Sequence, residues 1–305
     1  MHLLAKAVLI AVFVGVAAFY ALTVPSVLSP DAFEAGTADV VIGETVFNIG
    51  GCASCHATPG QDDPLRLGGG LPLKSPFGTF KVPNISSDAK AGIGAWTEAQ
   101  FANAILKGVG RNGEHLYPSL PYTSYQRMAI SDVRNLFAFL KTLPSDPATS
   151  QPHELPFPFN IRRPIGLWKL LFLDGKTFTP NPSRDAEYNR GAYLVEGLGH
   201  CAECHSGRNL LGAIKPLQRF AGGADLEGEG WVPNITPHPD GLAGWSVGDF
   251  EFFLSTGLTP DGASVSGNMR EVIRNTSKLS LEDRRAMASY LVSLPPRPGA
   301  KPPKR

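Results

Sequence analysis

The first apolar run of the chain is also its longest. From Ala7 to Val24 no charge interrupts a stretch rich in Leu, Val, Ile, Ala and Phe, with Lys6 before it and Asp31 and Glu34 after it. A run of about 18 residues is at the short end for a membrane span and longer than the usual apolar core of a signal peptide. No clear Ala-x-Ala cleavage site follows; Val27-x-Ser29 is a weak substitute. The pattern predicts that residues 1–30 form an uncleaved anchor, with a cleaved signal as the alternative. Positive charge on the N-terminal side places the rest outside the cytoplasm. A single-pass protein of the inner (cell) membrane is expected, its bulk on the periplasmic side.

Beyond residue 30 the apolar positions recur at helical spacing in short runs. Helices are predicted over Gly43 to Ile49 and Arg190 to Glu196. Two more start at Thr97, which makes a capping box with Gln100, and at Ser246, which makes a weaker one with Asp249. Two longer ones cover Ser131 to Leu143 and Ser280 to Leu294. In the first of these Leu136, Phe139, Leu140 and Leu143 form one apolar stripe. It is expected to cross the earlier helix near Gly43 and Phe47, where the glycine permits close approach.

These elements occur twice because the chain repeats itself. Val82-Pro83-Asn84-Ile85-Ser86 returns as Val232-Pro233-Asn234-Ile235-Thr236 after 150 residues, and Trp96-Thr97 returns as Trp245-Ser246 after 149. Phe139-Leu140 and Pro144 return as Tyr290-Leu291 and Pro295 after 151. The period is too long for a solenoid and reads as a duplicated domain. The expected architecture is all-α, with units over 31–145 and 186–296. Between them residues 146–185, dense in proline but apolar, should form a strap packed on both units with one short helix near Ile165 to Phe172. Trp168 and Phe172 are expected to pack in the core, with a docking surface as the alternative. The Pro- and Lys-rich tail 297–305 should be disordered.

Composition changes this picture little. The 305 residues suggest about two domains, and a formal net charge of +1 argues against nucleic acid and against acidic substrates. The 33 Gly and 27 Pro fit short helices joined by turn-rich loops.

The chemistry sits in two stretches 149 residues apart, Cys52-Ala53-Ser54-Cys55-His56 and Cys201-Ala202-Glu203-Cys204-His205, which use all four cysteines. Two thiols separated by two residues can reach the two vinyl groups of one porphyrin, and the following His is held under the iron. Two covalently bound haem c groups are therefore expected, attached through Cys52, Cys55, Cys201 and Cys204, with His56 and His205 as proximal ligands. A zinc site or redox dithiols would not explain a His directly after both pairs.

A carrier iron usually keeps a second protein ligand, and methionine there raises the potential. Met269, in the loop before the last helix, is the candidate for the second haem. Its counterpart 149 residues earlier is Leu120, which cannot bind iron. Met128 is the candidate for the first haem; His115 or His153, or an open distal side, are alternatives. Met128 also has the option of packing as its own counterpart Leu279 would. Met287 reads as a core side chain, and His200 and His238 as surface groups.

The paired motifs, Leu116-Tyr117-Pro118-Ser119-Leu120-Pro121-Tyr122 and Arg190-Gly191-Ala192-Tyr193-Leu194-Val195 carry a family likeness. From Val41 to Leu294 the chain resembles the membrane-bound cytochrome c subunits of bacterial periplasmic alcohol, aldehyde and gluconate dehydrogenases. The resemblance implies two tandem class I cytochrome c domains after the N-terminal transmembrane helix. It also implies a dihaem carrier that takes electrons from a separate dehydrogenase catalytic subunit to a respiratory-chain acceptor. The alcohol dehydrogenase members usually carry Met where this chain has Leu120, and the third motif of triple-haem members is lacking. The rival class is a dihaem peroxidase or sulfur-compound oxidoreductase with an open first iron. A structural anchor for a dehydrogenase complex is compatible with the carrier.

Overall fold

The computed structural model describes residues 2–33, 36–226 and 230–299. It opens with α1 (His2–Leu22), 21 mostly apolar residues, none of them buried. At 1.5 Å per residue this helix is about 31 Å long, enough to cross a membrane.

The first half then runs α2 (Val40–Ile49), α3 (Cys52–His56), a hairpin of β1 (Pro72–Ser75) and β2 (Gly78–Lys81), α4 (Glu98–Lys107), α5 (Tyr122–Tyr125) and α6 (Ile130–Thr142). A connecting segment carries α7 (Ile165–Phe172). The second half runs α8 (Ala186–Tyr193), β3 (Gly223–Ala224), β4 (Trp231–Val232), α9 (Val247–Thr256), α10 (Met269–Thr276) and α11 (Leu281–Val292). Local chemistry sets the starts. Asp39 and Asp185 accept backbone N–H groups of α2 and α8, which therefore begin earlier than Gly43 and Arg190. Full capping boxes, Thr97 with Gln100 and Ser246 with Asp249, open α4 and α9.

The all-α expectation is too simple. β1 pairs antiparallel with β2, Pro72 opposite Lys81 and Ser75 opposite Gly78, and β3 pairs with β4. Leu71–Val82 has no helical period, and Gly78 at φ 117° supplies a turn that few other residues tolerate.

α2 crosses α6, and α8 crosses α11, each at a glycine. A Cβ on Gly43 would sit 2.1 Å from the Asn135 carbonyl oxygen, and one on Gly191 would sit 1.9 Å from that of Ala286. Phe47 and Phe139 meet at a tilt beside the first crossing, ring centres 5.2 Å apart, and Tyr188 and Tyr290 meet edge-on beside the second at 5.3 Å. One buried apolar cluster runs through both halves and includes Val46, Phe101, Leu140, Leu194, Leu254 and Met287.

The connecting segment is held along its length. Thr79 and Glu154 exchange backbone hydrogen bonds, and Ile165 joins Phe80 and Tyr117 in a second small core. Trp168 and Phe172 are only half-buried, because α7 turns just Ile165 and Gly166 fully inward. The tail expected to be disordered begins with Arg297 in place: its N–H donates to Thr236 Oγ1 (3.2 Å) and its carbonyl accepts from Asn234 Nδ2 (2.8 Å). Residues 300–305 of that tail lie outside the described residues.

Candidate functional site

The two Cys-x-x-Cys-His segments are tight turns. Gly51, in the left-handed region at φ 61°, opens the first, with Cys52–His56 as the helix α3. At the equivalent place in the second stands His200, at φ 40° and ψ 32°. A side chain in that region costs about 1 kcal/mol or more relative to glycine. His200 is not the surface group expected. It is half-buried, its Nε2 donates to the Gly50 carbonyl (3.3 Å), and its ring meets the Tyr125 ring edge-on. The strained backbone thus aims the ring at the first motif. His238 stays on a loop beside Asp240.

The proximal candidates share one geometry. His56 Nδ1 lies 2.8 Å from the Pro83 carbonyl oxygen, and His205 Nδ1 lies 2.8 Å from that of Pro233. A carbonyl only accepts, so each Nδ1 carries the proton and each Nε2 keeps its lone pair. That is the tautomer a metal-ligating imidazole needs. Burial lowers the His56 pKa to about 4 and that of His205 in the same direction, which keeps both rings neutral.

No disulfide joins the four cysteines. Burial, with the neighbouring thiol adding to it, pushes Cys52 up to about 12. Burial likewise raises Cys201 to about 12. A redox dithiol needs the opposite, a lowered thiol pKa. Among the described residues no three His, Cys, Asp or Glu side chains cluster to hold a metal ion, so a zinc site is not formed either. Two thiols beside an imidazole with a free Nε2 fit covalent haem c.

Other parts of the site are not visible in the motifs themselves. Gly69 N–H donates to the His56 carbonyl (2.8 Å) and Gly222 N–H to that of His205 (2.9 Å). Both glycines have positive φ and lie against the Val-Pro pair of their own unit, where a Cβ would come within 2.5 Å of Pro83 C or 2.6 Å of Val232 O. Asn84 and Asn234 pin those Val-Pro-Asn loops from below. Asn84 Nδ2 donates to the Asp146 and Ala148 carbonyls, and Asn234 Nδ2 to that of Arg297. The signal for the asparagines was the repeated Val-Pro-Asn-Ile; for the glycines, whose spacing differs between the copies, there was none.

Each motif also touches the opposite half. The residue before each second cysteine reaches into the opposite half: Ser54 Oγ accepts from Asn275 Nδ2 (2.9 Å), and Glu203 Oε1 accepts from the Thr123 and Ser124 hydroxyls (2.6 and 2.7 Å). Ser54 and Glu203 are 149 residues apart, Ser124 and Asn275 are 151 apart. The contact is therefore reciprocal, with α5 touching the second motif and α10 touching the first. Tyr125 adds a bond from its hydroxyl to the Gly50 carbonyl (3.0 Å).

The distal candidates are placed as follows. Met269 is half-buried and is the first residue of α10 rather than part of a loop. Leu120 packs half-buried against the main core. Met128 is 2% exposed inside that core, as is Leu279 at 5%, and each donates its backbone N–H three residues back, to Tyr125 and to Thr276. His115 Nε2 donates to the Thr23 carbonyl at the end of α1, leaving its buried Nδ1 without a partner. His153 Nδ1 accepts the Lys81 N–H, so its proton is on Nε2 and neither nitrogen is free to bind iron in this form. Met287 is buried in the core.

Comparison with known proteins bears on this geometry. A cytochrome c family model matches residues 40–144. The chain is 48% identical over 276 residues to a dihaem c-type cytochrome of Cereibacter sphaeroides, covering 90% of this chain and 92% of that one. It is 39% identical over 250 residues to the cytochrome subunit of a fructose dehydrogenase of Gluconobacter japonicus, covering 80% of this chain and 50% of the other. It is also 38% identical over 276 residues to the cytochrome c subunit of a quinone alcohol dehydrogenase of Komagataeibacter europaeus, covering 87% and 58%. The chain thus spans nearly all of the first relative but only part of the other two.

Proposed function

The chain belongs to the cytochrome c family, and on that footing we propose that it is a dihaem electron carrier built of two tandem cytochrome c domains. It passes electrons from a separate dehydrogenase subunit to a respiratory acceptor. Relatives named as cytochrome c subunits of alcohol, fructose and gluconate dehydrogenases support the choice of donor class. The N-terminal helix supports a single-pass anchor with both domains on the periplasmic side.

The observation that carries the reading is the repeated triad of two thiols, a neutral imidazole with a free Nε2, and a proline carbonyl fixing that imidazole. Haem c supplies one-electron ferrous–ferric chemistry when bound. Cys52, Cys55, Cys201 and Cys204 hold the two groups covalently, and His56 and His205 present Nε2 to the metal. Pro83 and Pro233 orient those rings and make them better donors. Met269, half-buried at the start of α10, would offer its thioether to the second group. On the first, Met128 is the thioether offered by the described part of that half, and Leu120 is the one feature favouring an open iron instead. The reciprocal bonds at Ser54 and Glu203 keep the two sites in a fixed relation, which suits transfer between them.

The test is haem counting. A denatured, acid-acetone-extracted chain should retain its colour and show two haems by the pyridine haemochrome spectrum. A Cys52→Ala, Cys55→Ala chain should retain one. Colour that washes out of the wild-type chain would refute the proposal.

A further inference from the structure

We propose that the strap around α7 is a membrane-surface patch, lying in the headgroup layer at the point where α1 leaves the bilayer. The proposal rests on the reading of α1 as a membrane span, and it adds a second contact with the same lipid.

The sequence of the segment is unusual. From Phe157 to Leu173 it has three basic residues, Arg162, Arg163 and Lys169, and no acidic one. Most of the rest is apolar, and folding leaves much of that outside: Phe157 is 78% exposed, Leu170 61% and Leu171 69%. The patch continues onto the second half, because Trp168 Nε1 donates to the Leu211 carbonyl (2.9 Å) and brings exposed Leu210 and Leu211 alongside. Covering such side chains removes apolar surface from water, which is favourable. A contiguous exposed apolar surface rimmed by charge marks an interaction site.

Its position selects the ligand. The last turn of α1 is bolted to this segment. Arg163 donates to the Tyr20 carbonyl (2.5 Å) and to Thr23 Oγ1 (2.6 Å), and His115 holds the Thr23 carbonyl. Gly166, in the first turn of α7, lies so close that a Cβ would be 2.7 Å from Thr23 Cβ. Leu171 is five residues further on, about 8 Å along the helix axis. The separation between the end of α1 and the exposed leucines is thus comparable with the depth of one headgroup layer. Tyr20, under the Arg163 guanidinium, and Trp168 on α7 are the aromatic residue types favoured at that depth. Leu167, Leu170 and Leu171 are turned outward on one side of α7, where an apolar interface can take them. A protein partner on this face would have to enter the headgroup layer to reach it. The strap would thereby fix the tilt of both domains over the membrane, which a lone span does not do.

The test uses the full haem-loaded chain in nanodiscs of phosphatidylcholine and phosphatidylglycerol. A small share of lipid carries a diazirine near the headgroup end of its acyl chain, and cross-linked peptides are mapped by mass spectrometry. The expected result is label on α1 and on 157–172, with none on α11. In the chain bearing Leu170→Glu and Leu171→Glu, label on 157–172 should be lost while that on α1 persists. Label on α1 alone in the wild-type chain would overturn the patch and leave the anchor standing. Absence of label from α1 would overturn both.

Discussion

Replacing Asn84 by Ala tests how the chain positions its first imidazole. Asn84 is 4% exposed. Its Nδ2 donates to the Asp146 carbonyl (2.7 Å) and the Ala148 carbonyl (2.8 Å), and its Oδ1 accepts the Ser86 N–H (2.8 Å). All three bonds vanish in Asn84→Ala. The Asp146 carbonyl keeps a second donor in Ser86 Oγ, but the Ser86 N–H and the Ala148 carbonyl lose their named partner. At about 1 kcal/mol for each lost bond, and more where a buried partner is stranded, the expected destabilisation is about 3 kcal/mol. The loop that relaxes carries the Pro83 carbonyl, which orients His56. The second site has its own anchor in Asn234 and Arg297, so it should not respond. Denaturant unfolding of the haem-loaded chain gives the stability change, and a redox titration resolves the two midpoint potentials. One potential should move and the other stay. A loss of stability below about 1 kcal/mol, or an equal shift at both sites, would refute the reasoning.

Met128→Leu separates ligation from packing at the first site. Leu279 already fills the counterpart position, so the swap should cost less than about 1.5 kcal/mol, and any spectral change reports the metal. The expected outcome is loss of one of two sulfur-to-iron bands in the near infrared, with new carbon monoxide uptake by the reduced protein; a variant that keeps both bands shows that Met128 only packs. Lys169 predicts a pH dependence. Burial lowers its pKa from 10.5 to about 8, while its ammonium donates to the Lys107 and Gly108 carbonyls. Between those two values the unfolded chain binds more protons than the folded one, so stability should rise with pH across that interval. Lys169→Gln should flatten the rise, read as the difference in unfolding midpoint between the two chains from neutral pH to about 10.5; parallel curves would exclude the effect.

Reading the sequence alone determined what depends on near neighbours along the chain. A thiol spacing of two residues with a following His, capping boxes at Thr97 and Ser246, and the glycine in the middle of α2 are all local chemistry, and the duplication made each legible twice. The family likeness followed from the same short stretches. Tertiary structure decided whatever joins residues far apart. Which carbonyl meets His56 depends on a loop 27 residues away that Asn84 anchors another 62 residues further on. Nothing beside His200 in the sequence shows that it turns inward, because its partner, Gly50, is 150 residues away. The reciprocal clasp of Ser54 and Glu203 joins positions that share no motif with Asn275 or Ser124. The composition of α7 puts Trp168 and Phe172 in the core, and only the tertiary structure shows them half-buried with Leu170 and Leu171 exposed beside them. A local pattern specifies which group is available, but its orientation and its cover are set by the packing of distant segments, and that register is not written in any short stretch of chain.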